Sequence, residues 1–169
     1  MAELTQKERL QPALLDRLTD DEPEHRKESR EKRVVSMRRL RESVLRDLGW
    51  LLNASRLDSV QSLEDYPNAA HSVLNYGMPD MTGLTASGVD VTAIERAVRQ
   101  AIWDFEPRIL RQTVRVRVGV DPERMSHNTM TFEIEGQLWA QPVPLQIFLK
   151  TELDLELGEV FVTEHFGPG

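Results

Sequence analysis

Three adjacent residues have the types that chemistry uses. Glu106, Pro107 and Arg108 stand in the middle of the run IWDFEPRIL, residues 102–110. A carboxyl group, a ring-locked backbone and a planar cation placed side by side admit two functional uses. In the first, Glu106 is a general acid in glycoside hydrolysis, a reaction that needs a second carboxylate at a defined separation across the sugar. Asp104 is a poor second group, because an offset of two residues points to another side of a helix. Asp80 and Glu133 can be named for the role, but no spacing selects them. In the second use, Pro107 holds Arg108 rigid, and its guanidinium fork anchors a carboxylate or a row of carbonyls on another chain. An ordinary exit turn closed by an internal Glu106–Arg108 pair is the plain structural alternative. The residues alone leave all of these open.

Other chemistries have less to stand on. The four histidines, His25, His71, His127 and His165, show no metal-ligand spacing. There is no cysteine, which removes disulfides, thiolate metal sites and thiol nucleophiles together. No Gly-x-Ser-x-Gly elbow and no phosphate-binding Gly-x-x-x-x-Gly-Lys loop occurs. No catalytic constellation, metal site or cofactor site is expected.

The elements that must position Glu106 and Arg108 are written in the periodicity. Met37, Leu40, Val44, Leu48, Leu51 and Leu52 recur at helical steps and predict a helix from Val34 to about Asn53. Arg38, Arg39, Arg41, Glu42 and Arg46 take its other side. Gly49 either allows a close backbone approach beside Trp50 or marks the helix end. A second helix is expected to begin near Asp90, with Thr92 and Glu95 as a capping box. Its apolar face is Ile94, Val98, Ala101, Ile102 and Phe105, and it should stop by Glu106 because proline follows. That leaves an acid at a helix C-terminus, against the macrodipole, and such local rule-breaking is expected at functional or strained sites. Trp103 interrupts the polar side of this helix beside the hinge and is a candidate partner-binding residue. Between the helices, SVLNYGMPDMTG is the densest punctuation in the chain. Gly77 can take positive φ and Pro79 biases Met78 toward extended backbone, so Tyr76, Gly77, Pro79 and Asp80 form a candidate supporting turn.

After the hinge the period changes to two. Val114–Val120, a run from Thr129, the run from Leu145 to Leu155 and the run EVFVTEH alternate as strands, with DPER as a turn. The connections leave no room for crossover helices, so neighbours should be antiparallel. The expected class is α+β: an antiparallel sheet of about four strands packed by two main helices, with an N-terminal extension. Residues 1–33 are expected to form that extension and residues 34–166 the domain. Within the extension, Leu10, Leu14, Leu15 and Leu18 read as an anchoring segment that docks on this domain or on another protein. A charged linker follows it.

Composition narrows the partners. The chain has 169 residues, 40% hydrophobic and 29% charged, with a net charge of −7. That balance argues against a general nucleic-acid binder. No apolar run approaches the ~20 residues needed to span a bilayer, and the first thirty residues are polar. No membrane insertion is expected, and a cytoplasmic location is.

The order LLDRL, SVLNYGMPDMTG, FEPRIL and then alternating strands ending in ELDLELGEVFV resembles the TssE family, the type VI secretion baseplate proteins akin to the wedge protein of contractile-tail phages. The resemblance runs from about Leu10 to Val162, and the pairing of NYG-x-PD with Glu-Pro-Arg is its most specific part. It implies a structural, non-enzymatic subunit of the cytoplasmic baseplate. Glu106, Pro107 and Arg108 would then contact the wedge subunits TssF and TssG, and the sheet would help to start assembly of the contractile sheath subunits TssB and TssC. The family has also been described as lysozyme-like, so the alternative is a cell-wall hydrolase with Glu106 as its general acid.

Overall fold

The computed structural model describes residues 13–19, 24, 36–80, 90–119, 129–139, 144–154 and 157–164. Two long helices lie on one face of a four-stranded antiparallel sheet, the α+β arrangement expected from the sequence. In chain order the helices are α1 (Leu14–Leu18), α2 (Met37–Asn53), α3 (Pro67–Ala70) and α4 (Val91–Phe105). The strands are β1 (Arg115–Gly119), β2 (Thr129–Leu138), β3 (Leu145–Asp154) and β4 (Val160–Glu164). They lie side by side in the order β1-β2-β3-β4, a meander whose rims are β1 and β4. The DPER turn, the linker after α1, and His25, His127 and His165 lie outside the described residues.

The core follows from the two periodicities. Along α2, Leu40, Val44, Leu48, Leu51 and Leu52 are buried, and along α4, Ile94, Val98, Ala101 and Ile102. Each set is one apolar stripe at three- and four-residue steps. The strands answer with alternate residues: Val116 on β1, Met130, Phe132, Ile134 and Leu138 on β2, Ile147, Leu149 and Leu153 on β3, and Val160 on β4. The β2–β3 pairing runs unbroken from Thr129 opposite Asp154 to Leu138 opposite Leu145, which puts all of these on the helix-facing side. Thr151 is the one fully buried polar side chain in that set, and its hydroxyl donates to the Phe132 carbonyl at 3.2 Å. Glu133, Glu135 and Arg117 fall on the opposite face, with Arg117 registered against Glu133.

Two local expectations are corrected. The N-cap of α4 is Asp90, whose carboxylate accepts from the Ala93 N–H at 3.0 Å, and not Thr92. Glu95 is drawn elsewhere: its Oε1 accepts the Val118 N–H of β1 at 3.0 Å. Gly49 neither ends α2 nor allows a close approach, because the helix continues to Asn53 and a Cβ there would have nothing within 4 Å.

Gly77 is the opposite case. Its φ is +125°, and an added Cβ would sit 2.2 Å from the Ala54 carbonyl oxygen. The tight reversal lets the Met78 N–H reach that same carbonyl at 2.7 Å, while the Arg56 N–H reaches the Met78 carbonyl at 3.0 Å. These two glycines give substitutions of opposite sign. Gly49→Ala should raise stability by about 0.5–1 kcal/mol, whereas Gly77→Ala should lower it by roughly 2–4 kcal/mol. Chemical denaturation of the two variants beside the parent checks both; a destabilised Gly49→Ala or a neutral Gly77→Ala would contradict the packing described.

Candidate functional site

The hinge between α4 and β1 is built by one proline. The last helical bond of α4 runs from the Glu106 N–H to the Ile102 carbonyl at 2.9 Å, and Pro107 then removes the next donor. The chain turns, with the Ile109 N–H on the Glu106 carbonyl at 3.2 Å, and leaves as an extended segment lying against the end of β2. There the Trp139 N–H donates to the Arg108 carbonyl at 2.7 Å and the Leu110 N–H donates to the Gln137 carbonyl at 2.8 Å. Ile109 crosses β2 so closely at Gly136 that a Cβ on that glycine would lie 2.9 Å from the isoleucine.

This path folds the Glu106 side chain back under the turn, where it is 3% exposed. Its Oε1 accepts from the Arg108 backbone N–H at 3.1 Å and from Nε at 2.7 Å, and its Oε2 accepts from Nη2 at 2.5 Å. Nη2 also donates to Asp47 Oδ2 on α2 at 2.6 Å, and Nη1 donates to Ser43 Oγ at 3.2 Å. The two-point contact with Glu106 is the fork geometry that makes arginine–carboxylate pairs strong and directional. Burial works to lower the Arg108 pKa, and the bonds to Glu106 and then Asp47 outweigh it, so the guanidinium lies well above its ordinary value and stays charged.

The charges continue outward. Arg46 Nε donates to Asp47 Oδ1 at 2.9 Å, and Arg46 Nη1 donates to Asp16 Oδ1 on α1 at 2.6 Å. The bond to Asp16, opposed by burial and reinforced by Asp47, raises the Arg46 pKa. Asp16, Arg46, Asp47, Arg108 and Glu106 thus form one alternating row that joins α1, α2 and the hinge. Tyr76 closes the row from the side. Its ring meets Phe105 edge-on at 5.1 Å between centroids, and burial, then the negative charge of Asp47 and Glu106, raises its phenol pKa.

Beside the row is an open pocket of about 520 Å³. Leu15 of α1, Trp50 and Leu51 of α2, Tyr76, Phe105 and Pro107 form its walls, and Asp47, Glu106 and Arg108 form its ionic edge. Arg46 stacks over Trp50 at 5.1 Å.

The candidate residues from the sequence divide here. Glu106, Pro107, Arg108 and Tyr76 meet at the pocket. Gly77, Pro79 and Asp80 do not line it; the reversal at Gly77 is held on Ala54 at the end of α2, and the Asp80 N–H reaches Ser59 Oγ, beyond that helix, at 3.1 Å. Trp103 packs half-buried away from the pocket, its indole N–H on the Arg111 carbonyl at 3.0 Å and the Arg111 guanidinium over its ring. Asp47 and Ser43 are the functional neighbours that sequence reasoning missed. Their four-residue spacing puts them on one side of α2, but nothing local shows that a residue about sixty positions away meets them.

The geometry bears on catalysis as well. Neither oxygen of Glu106 is open to a leaving group, and Asp47, the nearest second carboxylate, is tied by the same arginine. Asp80 and Glu133 are placed elsewhere. Among the described residues no group of three metal-ligating side chains occurs, and no helix is long and apolar enough to cross a membrane. Arg108→Ala would strand the buried Glu106 carboxylate and leave Asp47 to Arg46 alone, and should cost about 3–5 kcal/mol of folding stability. Arg108→Lys keeps the charge but loses the fork, and should cost roughly half as much. Urea unfolding measures both; values within the error of the parent would show that the row contributes nothing.

The comparison with curated proteins and with solved structures found no match. The family described as Baseplate wedge protein gp25 matches residues 38–143, more than half of the chain. The matched span contains all of α2 but its first residue, the Gly77 turn, α4, the Glu106-Pro107-Arg108 hinge, β1 and β2. The chain belongs to the gp25 family of baseplate wedge proteins.

Proposed function

We propose that the chain is a structural subunit of a type VI secretion baseplate in the cytoplasm, that it binds the wedge subunits TssF and TssG through the hinge and its pocket, and that it helps to start assembly of the TssB–TssC sheath. The observation that carries this reading is the state of the hinge. A fully paired Arg108–Glu106–Asp47 cluster with Glu106 buried stiffens a corner that borders an open and mostly apolar pocket. A preorganised corner loses little freedom when a partner docks, which favours binding. The same pairing disfavours hydrolysis, because a general acid must reach the proton's destination and Glu106 is engaged on both oxygens.

The sheath role is supported by the sheet. A strand at a rim can be extended by an incoming strand through backbone hydrogen bonds. The β4 rim is held at its start, where Asn53 accepts the Val160 N–H and donates to the Val160 carbonyl, both at 2.8 Å. Among the described residues, the rest of β4 has a sheet neighbour only on the β3 side.

The test uses an exposed position, so that folding is preserved. Trp50→Glu should keep the parent's melting temperature within about 2 °C and should reduce co-purification with TssF and TssG at least tenfold. An undiminished complex would refute the assignment of the surface. Purified parent protein should release no fragments from peptidoglycan. Turnover that disappears in Glu106→Gln would replace the structural reading with the hydrolytic one.

A further inference from the structure

We infer that α2 decides where a strand can be added to β4: Asn53 and Arg41 tie down the two ends of that rim, pairing starts at Val162 between them, and it lengthens only when Asn53 releases Val160. The inference rests on the strand addition at β4 proposed above and adds the residues that control it.

The direction of each backbone group follows from the register. The Asp154 N–H of β3 donates to the Glu159 carbonyl at 2.9 Å, so Glu159 turns its carbonyl toward β3. Successive residues of an antiparallel strand turn their peptide groups to opposite sides. Val160, Val162 and Glu164 therefore turn theirs outward, while Phe161 and Thr163 pair with β3. Val160 is already taken, because Asn53 Oδ1 accepts its N–H and Asn53 Nδ2 donates to its carbonyl, both at 2.8 Å. Nδ2 also donates to the Gly49 carbonyl at 2.7 Å, so both donors and the oxygen of this amide are in use. At the other end, Arg41 Nε forms an ion pair with Glu164 Oε1 at 2.9 Å, and Arg41 Nη2 donates to the Gln146 carbonyl at 3.1 Å. Gln146 lies on β3 past the Leu149–Glu164 pair, so one guanidinium ties α2 to the last residue of β4 and to the strand beside it. The stretch of α2 from Arg41 to Asn53 is about 18 Å long, and the five residues of β4 span roughly 17 Å. Between the two ties, among the described residues, no hydrogen bond reaches Val162 from outside the sheet.

The ties differ in how they can be undone. Asn53 is exposed and uncharged. An incoming strand offers Val160 the same donor and acceptor that the amide offers, and the freed amide is solvated by water. Arg41 holds Glu164 through its side chain and leaves the outward peptide groups of Val160 and Val162 alone. Asn53 is therefore the releasable tie and Arg41 the permanent one. The occupant is an extended partner segment recognised through its backbone.

The probe is a six-residue peptide of alternating threonine and valine, with the same peptide N-methylated throughout as control. Amide exchange of the full chain is followed by NMR, with and without peptide. In the parent, the Val160 N–H should exchange about tenfold more slowly than the Val162 N–H after correction for intrinsic rates. Asn53→Ala should abolish that difference, with Ile134 in the sheet interior reporting that global folding is unchanged. Arg41→Gln should preserve it. The unmethylated peptide should protect Val162 alone in the parent and both valines in Asn53→Ala, which should bind it about fivefold more tightly. Asn53→Asp keeps the acceptor and loses the donor, and its affinity should fall between the two. Equal exchange of the two valines in the parent would overturn the inference. So would equal affinity of parent and Asn53→Ala, no binding to Asn53→Ala, binding of the methylated peptide, or loss of Val160 protection in Arg41→Gln. No sheath subunit takes part, so these outcomes are distinct from failure of the sheath reading itself.

Discussion

One guanidinium holds the molecule's corner. Arg108 joins the carboxylate at the end of α4 to an aspartate in the middle of α2, while its own carbonyl receives the last residue before the β2–β3 connection. Helix, helix and sheet therefore meet at one residue. Burying charge is unfavourable unless each ion is matched, and that requirement propagates. Two carboxylates share Arg108, so Asp47 takes a second cation, Arg46. Arg46 has donors left, and one of them reaches Asp16. The position of α1 is thus an outcome of charge balance that begins at a proline more than eighty residues later.

Buried acid in a cleft is often a sign of catalysis, and the surroundings of Glu106 distinguish the two cases. A catalytic acid has to exchange protons and reach a substrate. Here the carboxylate is turned inward and grips the cation that shapes the turn, while the accessible surface beside it is mostly carbon. Rigid polar scaffolding with an apolar front suits a protein whose task is to be assembled, and agrees with membership of a baseplate wedge family.

The fold was largely legible in the sequence because burial leaves a period. The stripes of α2 and α4 and the alternation of β1 to β4 all match apolar spacing, and short connections made neighbouring strands antiparallel, although they did not say which strands form the rims. The stop at Glu106 was legible because proline has a local steric effect. What was hidden depended on distance. Asp47 is an unremarkable helix residue until Arg108 arrives from another element. Thr92 and Glu95 satisfy a capping pattern locally, yet Glu95 is taken by the backbone of β1 and Asp90 caps instead. The leucines near the N-terminus announced a docking segment, but only the pairing of Asp16 with Arg46 gave it an address.

Each rim of the sheet carries a stopper from a helix: Glu95 on β1 at Val118, and Asn53 on β4 at Val160. The Asn53 amide turns one of its two N–H groups and its oxygen toward Val160 in the same sense as a peptide unit, so it counterfeits a single residue of an added strand. Identical copies of a sheet with open rims can pair edge to edge. Two small plugs, one per rim, raise the threshold for accidental zipping of sheet to sheet, and leave only a bounded stretch of β4 on which a legitimate strand could find its register.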